Sequence, residues 1–114
     1  MGATMMVQHK ELAEGRWNNF TLAQQMANIG AEVGRAINWR KKGKPQYAKK
    51  AIDRALELLV LTLETQHRPA ASREVARVKE AILDYFYGEN EFRSSDILWQ
   101  KYFDHFNYAA RKDR

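Results

Sequence analysis

The amino-acid sequence predicts an all-α protein, an antiparallel four-helix bundle. Three observations carry that expectation. Apolar residues recur at spacings of three and four rather than two, the two prolines and well-spaced glycines leave long uninterrupted stretches, and helix-start and helix-stop residues bracket four of them. At 114 residues, 45% hydrophobic and 29% charged, the chain is one domain's worth of ordinary globular composition, which excludes disordered, collagen-like and low-complexity classes.

The first predicted helix opens at Thr21, an N-cap, and stops at Gly43 after Arg40, Lys41 and Lys42, cations that favour a last turn. Leu22, Met26, Ile29, Val33 and Ile37 form its apolar face. A parallel stripe of small residues, Ala23, Ala27, Gly30 and Gly34, invites the close approach of a neighbouring helix. The second helix starts at Pro45, favoured in a first turn, and runs to about Thr65 with Tyr47, Ala51, Ala55, Leu58, Leu59 and Thr62 inward, widened by Ile52, Leu56 and Leu63. Residues 66–71 read as a connector. Ser72 then caps a third helix ending at Gly88, with Val75, Val78, Ile82, Leu83 and Phe86 inward. Ser94 or Ser95 caps the fourth, whose apolar residues are Leu98, Trp99, Tyr102, Phe103, Phe106, Ala109 and Ala110. Residues 1–19 form either a short extra helix or an arm, and residues 20–114 form the bundle domain.

Composition narrows function mainly by exclusion. With no cysteine there is no disulfide framework, thiolate nucleophile, cysteine-ligated zinc or iron-sulfur cluster. The longest apolar run, Leu58 to Leu63, falls far short of the roughly 20 residues a membrane span needs. Met1 to Lys10 contains no leader-like apolar region. The expectation is a cytoplasmic protein that makes no contact with a membrane. Its net charge of +5 is concentrated: residues 35–54 hold eight basic residues against Asp53 alone, whereas residues 61–114 balance nine basic with nine acidic ones.

Two resemblances add to this reading. The run AINWRKKGKPQYAKKAIDRALEL, residues 36–58, resembles the helix-turn-helix of a tetratricopeptide repeat, with Gly43 at the turn and Ala51, Ala55, Leu56 and Leu58 at its packing positions. It covers one repeat, and a step of 34 residues leads to Arg77 and Glu89 with no recurrence, so a hairpin within a bundle is implied rather than an array. Through QQMANIGAEVGRAINWRKKG, ALELLVLTLE and LWQKYFDHFNYAAR, the chain after residue 20 is also similar to small, uncharacterised all-α proteins of prokaryotes. That similarity implies a fold and no chemistry.

The sequence predicts no catalytic centre, no cofactor and no metal. Ser72, Ser94 and Ser95 all stand at expected helix starts, and no nucleophile-elbow, phosphate-loop, dinucleotide or zinc-protease signature occurs. Glu64-Thr65-Gln66-His67 has the Glu-x-x-His spacing of di-iron bundles, but His9 and His105 supply no second motif. Glu80 and Asp84 share a helix face, yet the paired acidic motifs of helical pyrophosphohydrolases need a different spacing. The Arg-to-His spacing of HEPN-type helical RNases is missing as well: Arg54 and Arg93 precede His67 and His105 by thirteen and twelve residues.

Binding features remain. Arg40, Lys41, Lys42, Lys44, Lys49 and Lys50 gather around the first turn and form a candidate polyanion site, with Trp39 or Tyr47 as a stacking platform for RNA or DNA. Nine of thirteen aromatic residues lie between 85 and 108, more than one helix pair needs for its core, which makes Tyr87, Phe92 and Tyr108 candidates for an exposed patch. Asn28, Glu32, Arg35 and Trp39 on the first helix, and Asp104, Asn107, Tyr108 and Arg111 on the last, form polar stripes that would line an interface or a pocket if they met. The resulting expectation is a non-catalytic bundle acting on a protein partner or as a homodimer, the small-residue stripe suiting a twofold contact. The alternative is a nucleic-acid-binding accessory protein that uses the basic hairpin.

Overall fold

Thr21 starts the first long helix by a reciprocal capping box. Its hydroxyl accepts from the Gln24 N–H at 3.1 Å, and the Gln24 side chain accepts from the Thr21 N–H at 2.9 Å. In the computed structural model, which describes residues 15–112, this helix, α1, spans Leu22–Lys41. Gly43 adopts φ +72° just beyond it, so that its N–H reaches the Arg40 carbonyl at 3.1 Å while the Lys44 N–H reaches that of Trp39 at 3.0 Å. This is a Schellman end, and it needs a residue tolerant of the left-handed region.

Helix α2 spans Pro45–Thr65, with proline at its first position where the missing N–H costs nothing. Helix α3 spans Pro69–Tyr87, four residues longer at its start than a Ser72 cap predicts. The second proline begins this helix rather than sitting in the connector. Ser72 is therefore not the cap; it lies inside the first turn, its hydroxyl 3.4 Å from the Gln66 carbonyl. Helix α4 spans Asp96–Lys112, capped by Ser95, whose hydroxyl accepts from the Leu98 N–H at 3.1 Å. All four helices pack together as an all-α bundle, and no strand occurs among the described residues.

Helix α1 is the central element, packed against α2 on one side and α4 on the other, while α3 rests on α2. Its predicted face is buried: Met26, Ile29, Val33 and Ile37 meet Ile52, Ala55 and Leu59 of α2, Val75, Val78 and Ile82 of α3, and Trp99 and Phe103 of α4 in one core. Each large aliphatic side chain buried in this way contributes about 1.5–3 kcal/mol. A Cβ on Gly30 would stand 2.6 Å from the Cβ of Phe103, so the absent methyl is what lets α4 lie so close. The predicted small-residue stripe is thus used within the chain at Gly30. A Cβ on Gly34 would meet nothing within 4 Å.

Residues 15–17 are helical and end in Trp17, which the sequence did not place in the core. Its indole N–H donates to the Thr62 hydroxyl at 2.9 Å, and its carbonyl accepts from the Gln25 side chain at 2.8 Å. Thr62, fully buried, also donates to the Leu58 carbonyl, so both polar groups are satisfied. The remainder of the expected arm, residues 1–14, lies outside the described residues.

Three expected core positions face outward. Tyr47, Leu83 and Leu98 are 43%, 36% and 56% exposed. Helix α4 packs chiefly on α1, so its buried arc is narrow and centred on Trp99 and Phe103, which turns Leu98 toward solvent.

Candidate functional site

Both the α1–α2 turn and the α3–α4 connector lie at the same end of the bundle. Two polar links show it: Arg40 at the end of α1 meets Asp96 at the start of α4 at 2.9 Å, and the Tyr87 hydroxyl at the end of α3 donates to Asp53 of α2 at 2.7 Å. Ion pairing divides the six predicted polyanion-binding residues. Arg40 is held by Asp96 and lies over the Tyr85 and Phe86 rings at 4.8 and 4.7 Å, while Lys49 pairs with Asp53 at 2.7 Å. Among the described residues, no carboxylate lies within ion-pair distance of Lys41, Lys42, Lys44 or Lys50.

The two aromatic residues of this hairpin stack on each other, with ring centroids of Trp39 and Tyr47 4.8 Å apart. The Lys42 and Lys50 ammonium groups stand 5.4 and 5.8 Å from the Trp39 and Tyr47 centroids. Tyr47 leaves a large part of its surface open to solvent beside these cations.

The connector between α3 and α4 is braced from within. The Asp84 carboxylate accepts from the Glu91 and Phe92 N–H groups at 2.8 and 3.0 Å. Asn90, at φ 56°, donates from its side-chain amide to the Ser94 carbonyl and accepts from the Ser94 N–H. Asparagine tolerates that conformation better than most residues, because its short amide can bond locally. Arg93 follows at φ 55°. From this fixed backbone Phe92 projects 59% exposed, and the first turn of α4 adds Ile97 at 63% and Leu98 at 56%.

Nothing in the composition signals this brace, because Asp84 reads as half of an acidic pair with Glu80. Its carboxylate is occupied by backbone donors. Among the described residues, no group of three or more His, Asp or Glu comes together to hold a metal ion. No helix among them is long and apolar enough to cross a membrane.

Comparison with family models, curated proteins and solved structures finds no match to this chain.

The two polar stripes are not joined to each other by any hydrogen bond or ion pair among the described residues. Glu32 and Arg35 pair within α1, the Asn28 amide donates to the Gln24 carbonyl at 2.8 Å, and Trp39 is engaged in the turn. Asp104 and Arg111 are exposed on α4, and Asn107 is half-buried. Tyr108, exposed beneath the Lys112 ammonium, lies twelve residues along α4 from Asp96, about 18 Å away at the helical rise. The expected aromatic patch is thus divided, with Tyr87 and Phe92 at the connector end and Tyr108 toward the other.

Titration at the connector end follows burial and pairing. Burial pushes the Tyr87 hydroxyl up to about 12, helped by its hydrogen bond to Asp53. Burial and the bond to Asp96 likewise raise Tyr85. Burial alone would raise the Asp53 carboxyl, but hydrogen bonds from Lys49 and Tyr87 and the Lys49 charge carry it below its ordinary value.

Proposed function

We propose that this protein is a non-catalytic interaction module that docks a protein partner, a second copy included, on the connector end of its bundle. The observation that supports this most directly is the set of three large apolar side chains, Phe92, Ile97 and Leu98. Each is more than half exposed, on a backbone that Asp84 and Asn90 hold in place. Solvent-facing apolar clusters of this kind are costly to leave uncovered and commonly mark association surfaces. Lys41 and Lys42 flank the same end, which favours a partner with an acidic rim.

A second reading has its own observation. Lys41, Lys42, Lys44 and Lys50 carry charges that no carboxylate neutralises within the described residues, beside a partly exposed Tyr47 ring. Single-stranded RNA or DNA would satisfy both features.

Light scattering of the full chain at low and high salt, with absorbance at 260 and 280 nm, separates the two. The interaction reading expects a self-associated or partner-bound species that resists salt and is lost in I97S/L98S. A monomer carrying nucleic acid at low salt and shedding it at high salt, indifferent to I97S/L98S but not to K42Q/K44Q, would replace it with the second reading.

A further inference from the structure

Helix α3 packs on α2 and α4 packs on α1, with no close packing between α3 and α4. Between them opens a cleft of about 420 Å³, lined by Ala70, Arg73, Glu74, Arg77 and Val78 of α3 and by Tyr102 of α4. We infer that this cleft binds a carboxylate-bearing molecule with an apolar body, the guanidinium groups of Arg73 and Arg77 taking the carboxylate.

Four observations support the assignment. Arg73 and Arg77 stand four apart on one helix, so their charges face the same solvent region and repel each other. Among the described residues neither has a carboxylate within ion-pair distance. Glu74, the one acid in the lining, is already engaged: its carboxylate accepts from the Tyr102 hydroxyl at 2.8 Å, a bond that also ties α4 to α3 across the cleft. The lining therefore carries two positive charges and one negative, a balance suited to a monoanion rather than to a phosphate dianion. Ala70, Val78 and the Tyr102 ring supply apolar wall for the rest of the molecule. Guanidinium forks match the planar, two-oxygen geometry of a carboxylate, which an ammonium does not. Free small acids and the C-terminus of a peptide share this chemistry.

The test is a titration of the 15N-labelled full chain, followed by NMR, with 4-phenylbutyrate, its uncharged amide, inorganic phosphate, and a short peptide ending in Phe with a free or an amidated C-terminus. The expected result is saturable shifts at Ala70, Val78 and Tyr102 with 4-phenylbutyrate, and binding weaker by about tenfold or more with the amide. R73Q/R77Q weakens binding to the same degree, while the R54Q control, on α2, binds as the parent does. Both variants change exposed positions, and circular dichroism confirms that they fold. Tighter binding of the free-ended peptide than of the small acid identifies a chain terminus as the ligand, and the reverse order identifies a small acid. Absence of saturable shifts at millimolar 4-phenylbutyrate, equal binding of acid and amide, stronger binding of phosphate, or indifference to R73Q/R77Q would each overturn the inference.

Discussion

Arg40 and Asp96 join the end of the first helix to the start of the fourth. The guanidinium lies 2.9 Å from the carboxylate oxygen that also accepts the Tyr85 hydroxyl at 2.5 Å, so one acid holds three helices together. Asp96 thus has a structural duty besides its favourable place in the first turn of α4. Replacing it by Ala should cost about 1–2 kcal/mol, more than an isolated surface pair, because two partners are released together. Urea unfolding of D96A measures this; a midpoint equal to that of the parent would show the network to be ornamental.

The paired glycines of α1 should respond to substitution with opposite sign. G30A places a methyl against the Phe103 side chain at 2.6 Å and should destabilise by about 1–3 kcal/mol through overpacking. G34A meets open space and should stabilise by up to about 1 kcal/mol through helix propensity. Thermal unfolding of both variants provides the check, and a G30A protein as stable as G34A would contradict the close approach of α4.

Two buried tryptophans differ in what their indole nitrogens find. Trp17 donates to Thr62, whereas the buried Trp99 N–H finds no partner among the described residues. W17F should therefore leave Thr62 without its donor and cost about 1–3 kcal/mol beyond the change in volume. W99F removes an unsatisfied donor, which offsets part of its packing loss. Chemical denaturation should rank W17F as the more damaging of the two, and the opposite ranking would refute the comparison.

Alkaline stability should depend on Tyr87. Its folded-state value of about 12 lies above the ordinary value near 10, so the neutral hydroxyl is favoured by folding. The stabilisation is complete below pH 10 and is lost as pH rises through about 12. Y87F should flatten that limb of a stability-against-pH curve. Asp53, whose folded value is lowered, acts at the other end: its contribution is present above the unfolded carboxyl value and is lost as pH falls through the folded one. D53N should accordingly narrow the stability difference between neutral and acid pH, and an unaltered acid limb would remove Asp53 from the account.

Helix positions were largely legible because their signals are local. Thr21, Gly43 and Pro45 each act through their own backbone, and the bounds of α1 and α2 follow from them. The start of α3 is less legible because two local signals, Pro69 and Ser72, compete, and sequence alone does not weigh a proline at the first position against a hydroxyl cap. Trp17 and Leu98 depend on which helices pack together, information that periodicity does not contain. The basic hairpin was visible as charge. The withdrawal of Arg40 from it was not, because Asp96 lies 56 residues away in the chain. The cleft beside Arg73 and Arg77 is likewise a product of topology: it exists because α4 rests on α1 instead of on α3.

The missing methyl at Gly30 acts as a detent for the fourth helix. A slide of α4 by one turn, about 5.4 Å, toward the start of α1 would drive the Phe103 ring onto the Cβ of Ala27. A slide the other way finds room at Gly34, but it carries Asp96 out of reach of Arg40. The Arg40–Asp96 pair therefore resists a slide either way and the missing methyl resists only one, so high salt would loosen the charged stop and leave the steric one in place.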